Sequence, residues 1–137
     1  MAIKAKLWNI GLTAREIDRE LAFLQGLGAK LLLSEKFQGP DGESEYALLE
    51  FAGTRLFLTP KPVFEDSLGE KLSPGLTHAV FEVDDVDAEM QKVIAEGAEI
   101  LLPPAEIEAG FGSRRIAFFR SPGGFVFELL QIRQSKV

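Results

Sequence analysis

The chain carries one histidine, His78, and no cysteine. That excludes a disulfide framework, a thiolate metal site and a cysteine nucleophile. Alternation along the strands sorts the remaining acids, bases and amides by face. His78 falls with Leu76, Val80 and Glu82 on one face of its strand, and Glu128 falls with Val126 and Leu130 on the matching face of the last strand. Asn9 with Gly11, and Arg55 with Phe57 and Thr59, have the same parity in the first half. Apolar walls with a few orienting polar groups are the chemistry of a small-molecule pocket. With its one imidazole on this face, the chain argues against a Ser/His/Asp triad. It also has no glycine loop of the phosphate-binding type.

The elements that position these residues are written twice. Trp8 to Leu33 aligns without a gap on Thr77 to Leu102, so that Asn9 stands over His78 and Gly28-Ala29 over Gly97-Ala98. The closing strands also match, Gly53 over Gly124 and Leu58 over Leu129, with two extra residues in the second copy. Repeats of this length mark a duplicated unit. In the first copy, Lys6 to Leu12 reads as a strand, and Thr13-Ala14-Arg15-Glu16 predicts a capping box. Ile17, Leu21, Leu24 and Leu27 then form a helical stripe that Gly28 ends. Leu31–Phe37, Tyr46–Phe51 and Arg55–Thr59 are expected strands, with a turn at Gly39-Pro40-Asp41-Gly42.

In the second copy, Leu76–Val83 leads to a helix capped by Asp84 or Asp85, with Val86, Met90, Val93 and Ile94 inward and Gly97 at its end. Glu99–Leu102, Arg115–Phe119 and Phe125–Gln131 follow as strands. Pro103 to Gly112 reads as a loop, either a lid or a plain surface connection. The second strand face, with Trp8, Ile10, Leu12, Phe81, Phe127 and Leu129, is expected to pack on the helices. The expected fold is α+β: two tandem βαβββ modules in a cupped, half-barrel-like mixed sheet with helices outside. The modules span 4–60 and 75–132 and share linker 61–74 within one domain, 1–137, because each half is too small to bury its sheet alone.

The net charge is −6. Nine carboxylates between Glu82 and Glu108 face one Lys92, a surface that repels nucleic acid and reads most simply as a solvated face. No apolar run suits a signal peptide or a bilayer span, so no membrane partner and a cytoplasmic location are expected.

Three segments resemble the glyoxalase/bleomycin-resistance/dioxygenase (vicinal oxygen chelate) superfamily: Asn9-Ile10-Gly11-Leu12-Thr13, Gly75 to Asp85, and Arg115 to Leu129. The resemblance implies a cup around one divalent metal, with ligands on the first and fourth strand of each module. His78 and Glu128 occupy two of those positions, Asn9 stands where many members have histidine, and Phe57 stands where four-ligand members have Glu, His or Gln. The implied metal set is His78, Glu128 and Asn9, taking Fe, Mn, Ni or Zn, with no organic cofactor. Glu128 is also the implied catalytic residue. Arg115 resembles an arginine common before the family's final strands, and Arg55, Phe57, Arg115 and Phe119 are the expected substrate-binding residues.

Two readings stay open. One is metal-assisted lyase, isomerase or dioxygenase chemistry on a small oxygen-rich molecule. The other is metal-free sequestration of a ligand, as in bleomycin-resistance members, with His78 and Glu128 as a hydrogen-bonded pair that favours the imidazolium. Asn9 and Phe57 favour the second. A homodimer is implied by resemblance only.

Overall fold

A computed structural model describes residues 2–39 and 42–137. Pro40 and Asp41, at the centre of the expected turn, lie outside the described residues. The elements are β1 (Ala5–Thr13), α1 (Ile17–Gly26), β2 (Lys30–Gly39), β3 (Gly42–Phe51), β4 (Thr54–Thr59), α2 (Glu65–Leu68), β5 (Gly75–Val83), α3 (Val86–Ala95), β6 (Glu99–Ala109), β7 (Gly112–Arg120) and β8 (Val126–Ser135). The fold is α+β, and the βαβββ order occurs twice. Among the described residues no helix is long and apolar enough to cross a membrane.

The chain forms two compact units. One is Asn9–Thr77; the other joins the residues through Trp8 to His78–Val137. The two cuts, after Trp8 and after Thr77, fall at equivalent positions of the repeat. Each compact unit therefore takes its leading segment from the other sequence copy.

In the Asn9–Thr77 unit the strand order is β2-β3-β4-β1, with β1 parallel to β4 and the other pairs antiparallel. Leu12, Leu56 and Leu58 pack with Ala47 and Leu49 against Ile17 and Leu24 of α1, as alternation predicts. Leu27 differs: it is the C-cap residue of α1 and is exposed. Gly28 follows it at φ 103°, a conformation that glycine adopts without a Cβ penalty.

The predicted capping box does not form. Glu16 is the N-cap of α1 and makes no side-chain cap bond. Thr13 is still strand, and the Ala14 amide after it donates to the Thr59 carbonyl at 2.9 Å. The β1–β4 ladder thus holds the segment that the cap needed.

The linker is more than a surface loop. It buries Phe64 and Glu65 and is held by Arg15, whose guanidinium donates to the carbonyls of Pro60 (2.5 Å) and Leu72 (2.7 Å) and meets Glu65 at 3.4 Å. Arg15→Ala should cost about 1–3 kcal/mol, since it leaves a buried carboxylate and two carbonyls without this donor. Urea denaturation would show it; an unchanged midpoint would mean that the loop holds without the clamp.

In the second unit the order is β5-β8-β7-β6, with β5 parallel to β8. Phe81, Val83, Ala117, Phe119, Phe127 and Leu129 pack with Val86, Met90 and Val93 of α3, and Ile3 joins them. Asp85 caps α3 by accepting from the Ala88 amide, and Gln131 accepts from the Val86 amide, each at 3.1 Å. Ile94, expected inward, is exposed.

The largest departure is Pro103 to Gly112, which is strand and not loop through Ala109. The two prolines lack amide donors, and the β6–β7 register shifts between Leu102 and Ala105 to absorb them. Beyond the shift the ladder resumes, with Glu106 opposite Arg115 and Ile107 opposite Arg114.

Candidate functional site

The second unit brings His78 and Glu128 together. In the parallel β5–β8 pair Val80 stands opposite Glu128, so His78, two residues earlier, shares its face. His78 Nε2 lies 3.9 Å from Glu128 Oε1, too far for a direct hydrogen bond. Phe118 of β7, opposite Glu128 in the antiparallel β7–β8 pair, sets its ring edge-on to His78 at 5.5 Å between centroids. Val80, Ile116, Phe118 and Leu130 on this face are all buried. The face is an apolar surround for one imidazole and one carboxyl.

That surround decides the protonation states. Burial lowers His78 from 6.5 to about 4. Burial raises Glu128 from 4.5 to about 8, partly offset by the positive charge of Arg114. The expectation that Glu128 would favour an imidazolium is therefore reversed: desolvation of both charged forms outweighs their attraction. At neutral pH the pair is a neutral imidazole beside a protonated acid.

Three of the expected residues belong to the Asn9–Thr77 unit. Asn9 is buried on β1 opposite Arg55 of β4, and Arg55 is half-buried with Glu50 of β3 on its other side. Phe57 stacks on Tyr46 at 4.9 Å with 14° between the rings. The fully buried Tyr46 donates its hydroxyl to Glu35 at 2.6 Å. The strand patterns do not point to this contact, although Glu35 and Tyr46 are cross-strand partners of the β2–β3 hairpin.

Two expected substrate-binding residues stand away from the His78 face. Phe119 is fully buried on the helix side, stacked on Phe127 at 5.6 Å. Arg115 is also on the helix side, held by Asp87 of α3 at 2.7 Å and Glu106 at 2.9 Å. Both carboxyls lie below their ordinary range, Asp87 through its hydrogen bond from Arg115, and Glu106 through that from Arg133 first and from Arg115 second.

One step along a strand turns a side chain to the other face, so neighbours on β7 point opposite ways. The β7–β8 register pairs Phe118 with Glu128 and Phe119 with Phe127. Phe118, Ile116 and Arg114 therefore share the His78 face. Counting back from Arg120 opposite Val126, across the Ser121–Gly124 turn, is the signal that finds this register.

Arg114 is buried, with its guanidinium carbon 4.2 Å from the Phe111 ring centroid and 5.4 Å from that of Trp8. Trp8, expected in the helix-side core, is half-buried under this cation.

His78 and Glu128, two of the three implied metal ligands, lie in one unit, and Asn9 lies in the other. His78 and Glu128 are two donors, and among the described residues no group of three or more His, Cys, Asp or Glu side chains could hold an ion. Phe57 offers no donor atom and is engaged with Tyr46.

Comparison with known proteins adds the ancestry of this arrangement. No curated protein matches the sequence. Solved structures do match. A Streptomyces coelicolor methylmalonyl-CoA epimerase variant in complex with 2-nitronate-propionyl-CoA is 22% identical, with TM-score 0.71 over 97% of this chain and 100% of that one. A hypothetical protein from Bacillus halodurans C-125 is 21% identical, with TM-score 0.69 over 98% and 99%. A 4-hydroxymandelate synthase variant from Streptomyces coelicolor is 15% identical, with TM-score 0.70 over 98% of this chain and 50% of that one. These likenesses concern the fold. The model of the Glyoxalase/Bleomycin resistance protein/Dioxygenase superfamily matches residues 6–129, nearly the whole length. The chain, with its duplicated βαβββ unit and its His78–Glu128 pair, belongs to that superfamily.

Proposed function

We propose that the protein binds a small carbonyl compound against the His78 face and transfers a proton on it, as an isomerase-type acid–base catalyst. The observation that carries this reading is the buried pair itself: an imidazole and a carboxyl 3.9 Å apart whose pKa values burial drives in opposite directions. Groups separated in this way divide the roles of acid and base between them. The protonated Glu128 donates a hydrogen bond to the carbonyl oxygen and then its proton. The neutral His78 accepts a proton from the adjacent carbon at Nε2. Phe118 and the apolar residues around it exclude water, which strengthens both interactions. The epimerase likeness supports a proton-transfer reaction as the class to test first.

Pyruvate and its neutral amide, pyruvamide, are suitable probes, since each places an acidic methyl beside a carbonyl. In deuterated water the protein should accelerate methyl exchange, read by proton NMR. Glu128→Gln and His78→Gln should each lower that rate by roughly 10²–10⁴-fold. Binding without exchange would favour sequestration of the ligand. Exchange that requires Mn²⁺ or Zn²⁺, with an ion-dependent thermal shift lost in His78→Gln, would overturn the metal-free mechanism.

A further inference from the structure

The two copies of the repeat complete their helices differently. In the second unit Glu89 of α3 is buried and meets Lys92, three residues on, at 3.2 Å. Lys92 Nζ also donates to the Ala2 carbonyl at 3.4 Å, and the next residue, Ile3, packs on the cluster that holds Val83, Val86 and Val93. An ammonium and an aliphatic group thus finish that side of α3. In the alignment of the copies Glu20 answers to Glu89, but Phe23 stands for Lys92. Ala14, Ile17 and Leu24 answer to Val83, Val86 and Val93 in the cluster of the first unit, and among the described residues nothing in that cluster answers to Ile3.

What the first unit has there is a cleft of about 540 Å³, walled by Leu12, Ala14, Phe23 and Pro74. Volumes of this size take small organic molecules. Phe23 is 60% exposed. Glu20 also lines the cleft and is half-buried. The other charges of the lining are offset: Arg15 by Glu65 at 3.4 Å, and Arg19 by Glu16 at 3.5 Å. The Glu20 carboxylate is the charge left over. Phe23, three residues on, is its neighbour on the helix surface, and a phenyl face attracts a cation.

We propose that this cleft is a binding site for an amphipathic amine, a small molecule with an ammonium group on an apolar body. The ammonium pairs with Glu20 as Lys92 pairs with Glu89, and the apolar body fills the place that Ile3 fills in the other unit. The net charge of −6 favours the approach of a cation. The site is separate from His78 and Glu128, which belong to the other unit, and does not depend on the proton transfer proposed for them.

Hexylamine and hexanol share one apolar body and differ in charge, and methylamine carries the charge without the body. Saturation-transfer NMR titrations of the full chain near neutral pH compare the three. Hexylamine should bind roughly five- to thirtyfold more tightly than hexanol, the scale of a partly desolvated ammonium–carboxylate contact with a ring beside it. Glu20→Gln should remove that preference and leave hexanol affinity within about threefold, since the apolar contacts remain. Phe23→Lys writes the second unit's residue into the first. Its own ammonium then takes Glu20, and hexylamine affinity should fall roughly tenfold or more. Equal affinity of the wild type for hexylamine and hexanol overturns the proposal, as do the lack of saturable hexylamine binding and a preference that survives in Glu20→Gln. Methylamine that binds as tightly as hexylamine overturns it too, because charge alone would then suffice. Should Glu20→Gln fail to fold, unchanged hexylamine affinity in Phe23→Lys overturns it.

Discussion

Replacing Glu128 with Gln should stabilise the protein, and more at pH 8 than at pH 5. The folded chain holds the Glu128 proton to about pH 8, whereas the unfolded carboxyl releases it near 4.5. Between those values the folded state binds the extra proton, so stability is lost as pH rises through the window. His78 works in the other direction. Its folded value is about 4 against 6.5 unfolded, so its contribution is present above 6.5 and is lost as pH falls toward 4. The two slopes nearly cancel from pH 4.5 to 6.5, and from 6.5 to 8 only the Glu128 loss remains. At about 1.36 kcal/mol per pKa unit, that last window is worth roughly 2 kcal/mol. Glu128→Gln should be flat there, and His78→Gln should uncover the decline from pH 4.5 upward. Urea denaturation between pH 5 and 8.5 measures all three. Parallel pH profiles for wild type and Glu128→Gln would show that this carboxyl is not held protonated.

That result bears directly on function. A chain selected for stability alone has no reason to keep an ionisable carboxyl where its charged form is disfavoured, since Gln or Leu would sit there at lower cost. Such groups persist where the shifted proton is used.

The duplication was legible because it needs no side-chain detail. Asn9 over His78 and Gly28 over Gly97 predict two equivalent strand–helix–strand units. Alternation also assigns Leu12, Leu56, Phe127 and Leu129 to the correct face. What alternation does not fix is register across a turn. Nothing within Arg115–Phe119 says which of Phe118 and Phe119 faces inward, because both are aromatic and both are buried. The answer lies in the pairing with β8, a contact remote from the strand's own pattern. The same limit hides Arg114. Two adjacent arginines differ by one step of alternation, yet one pairs with Asp87 on the surface and the other is buried over Phe111 and Trp8.

His78 and Glu128 were legible as a pair because both follow from parity within strands that flank one another. Their protonation was not, because it depends on how completely Val80, Ile116, Phe118 and Leu130 close around them. A carboxylate beside an imidazole in water would favour the ion pair; the same two groups in an apolar surround favour the neutral forms. The thwarted capping box has a similar origin. Thr13 and Glu16 have the right spacing, but the ladder from β4 claims the segment through the Ala14 amide. In each case a tertiary contact overrides a local pattern.

Gly112→Ala should be among the most damaging single substitutions in the chain, at roughly 3–5 kcal/mol. Gly112 opens β7 at φ 116°, outside the range that residues with a Cβ favour, and a Cβ there would collide with the Gln134 carbonyl oxygen of β8. The atom it meets is backbone, so relief requires β7 and β8 to part where Gly112 pairs with Ser135. Gly124→Ala separates strain from collision. Gly124 also has a positive φ, 98°, but no atom lies within 4 Å of the position its Cβ would take, so only the conformational cost of about 1–3 kcal/mol applies. The damage should also reach the site. Phe111 precedes Gly112 and Arg114 follows it by two residues, so parting the strands moves the guanidinium from Trp8. Trp8 is the only tryptophan, and its fluorescence should change in Gly112→Ala under conditions where the protein remains folded, but not in Gly124→Ala. Equal stability losses in the two variants would show that β7 and β8 tolerate the extra carbon. A large loss with unchanged Trp8 emission would show that Arg114 is held by its rings alone, independent of the strand that carries it.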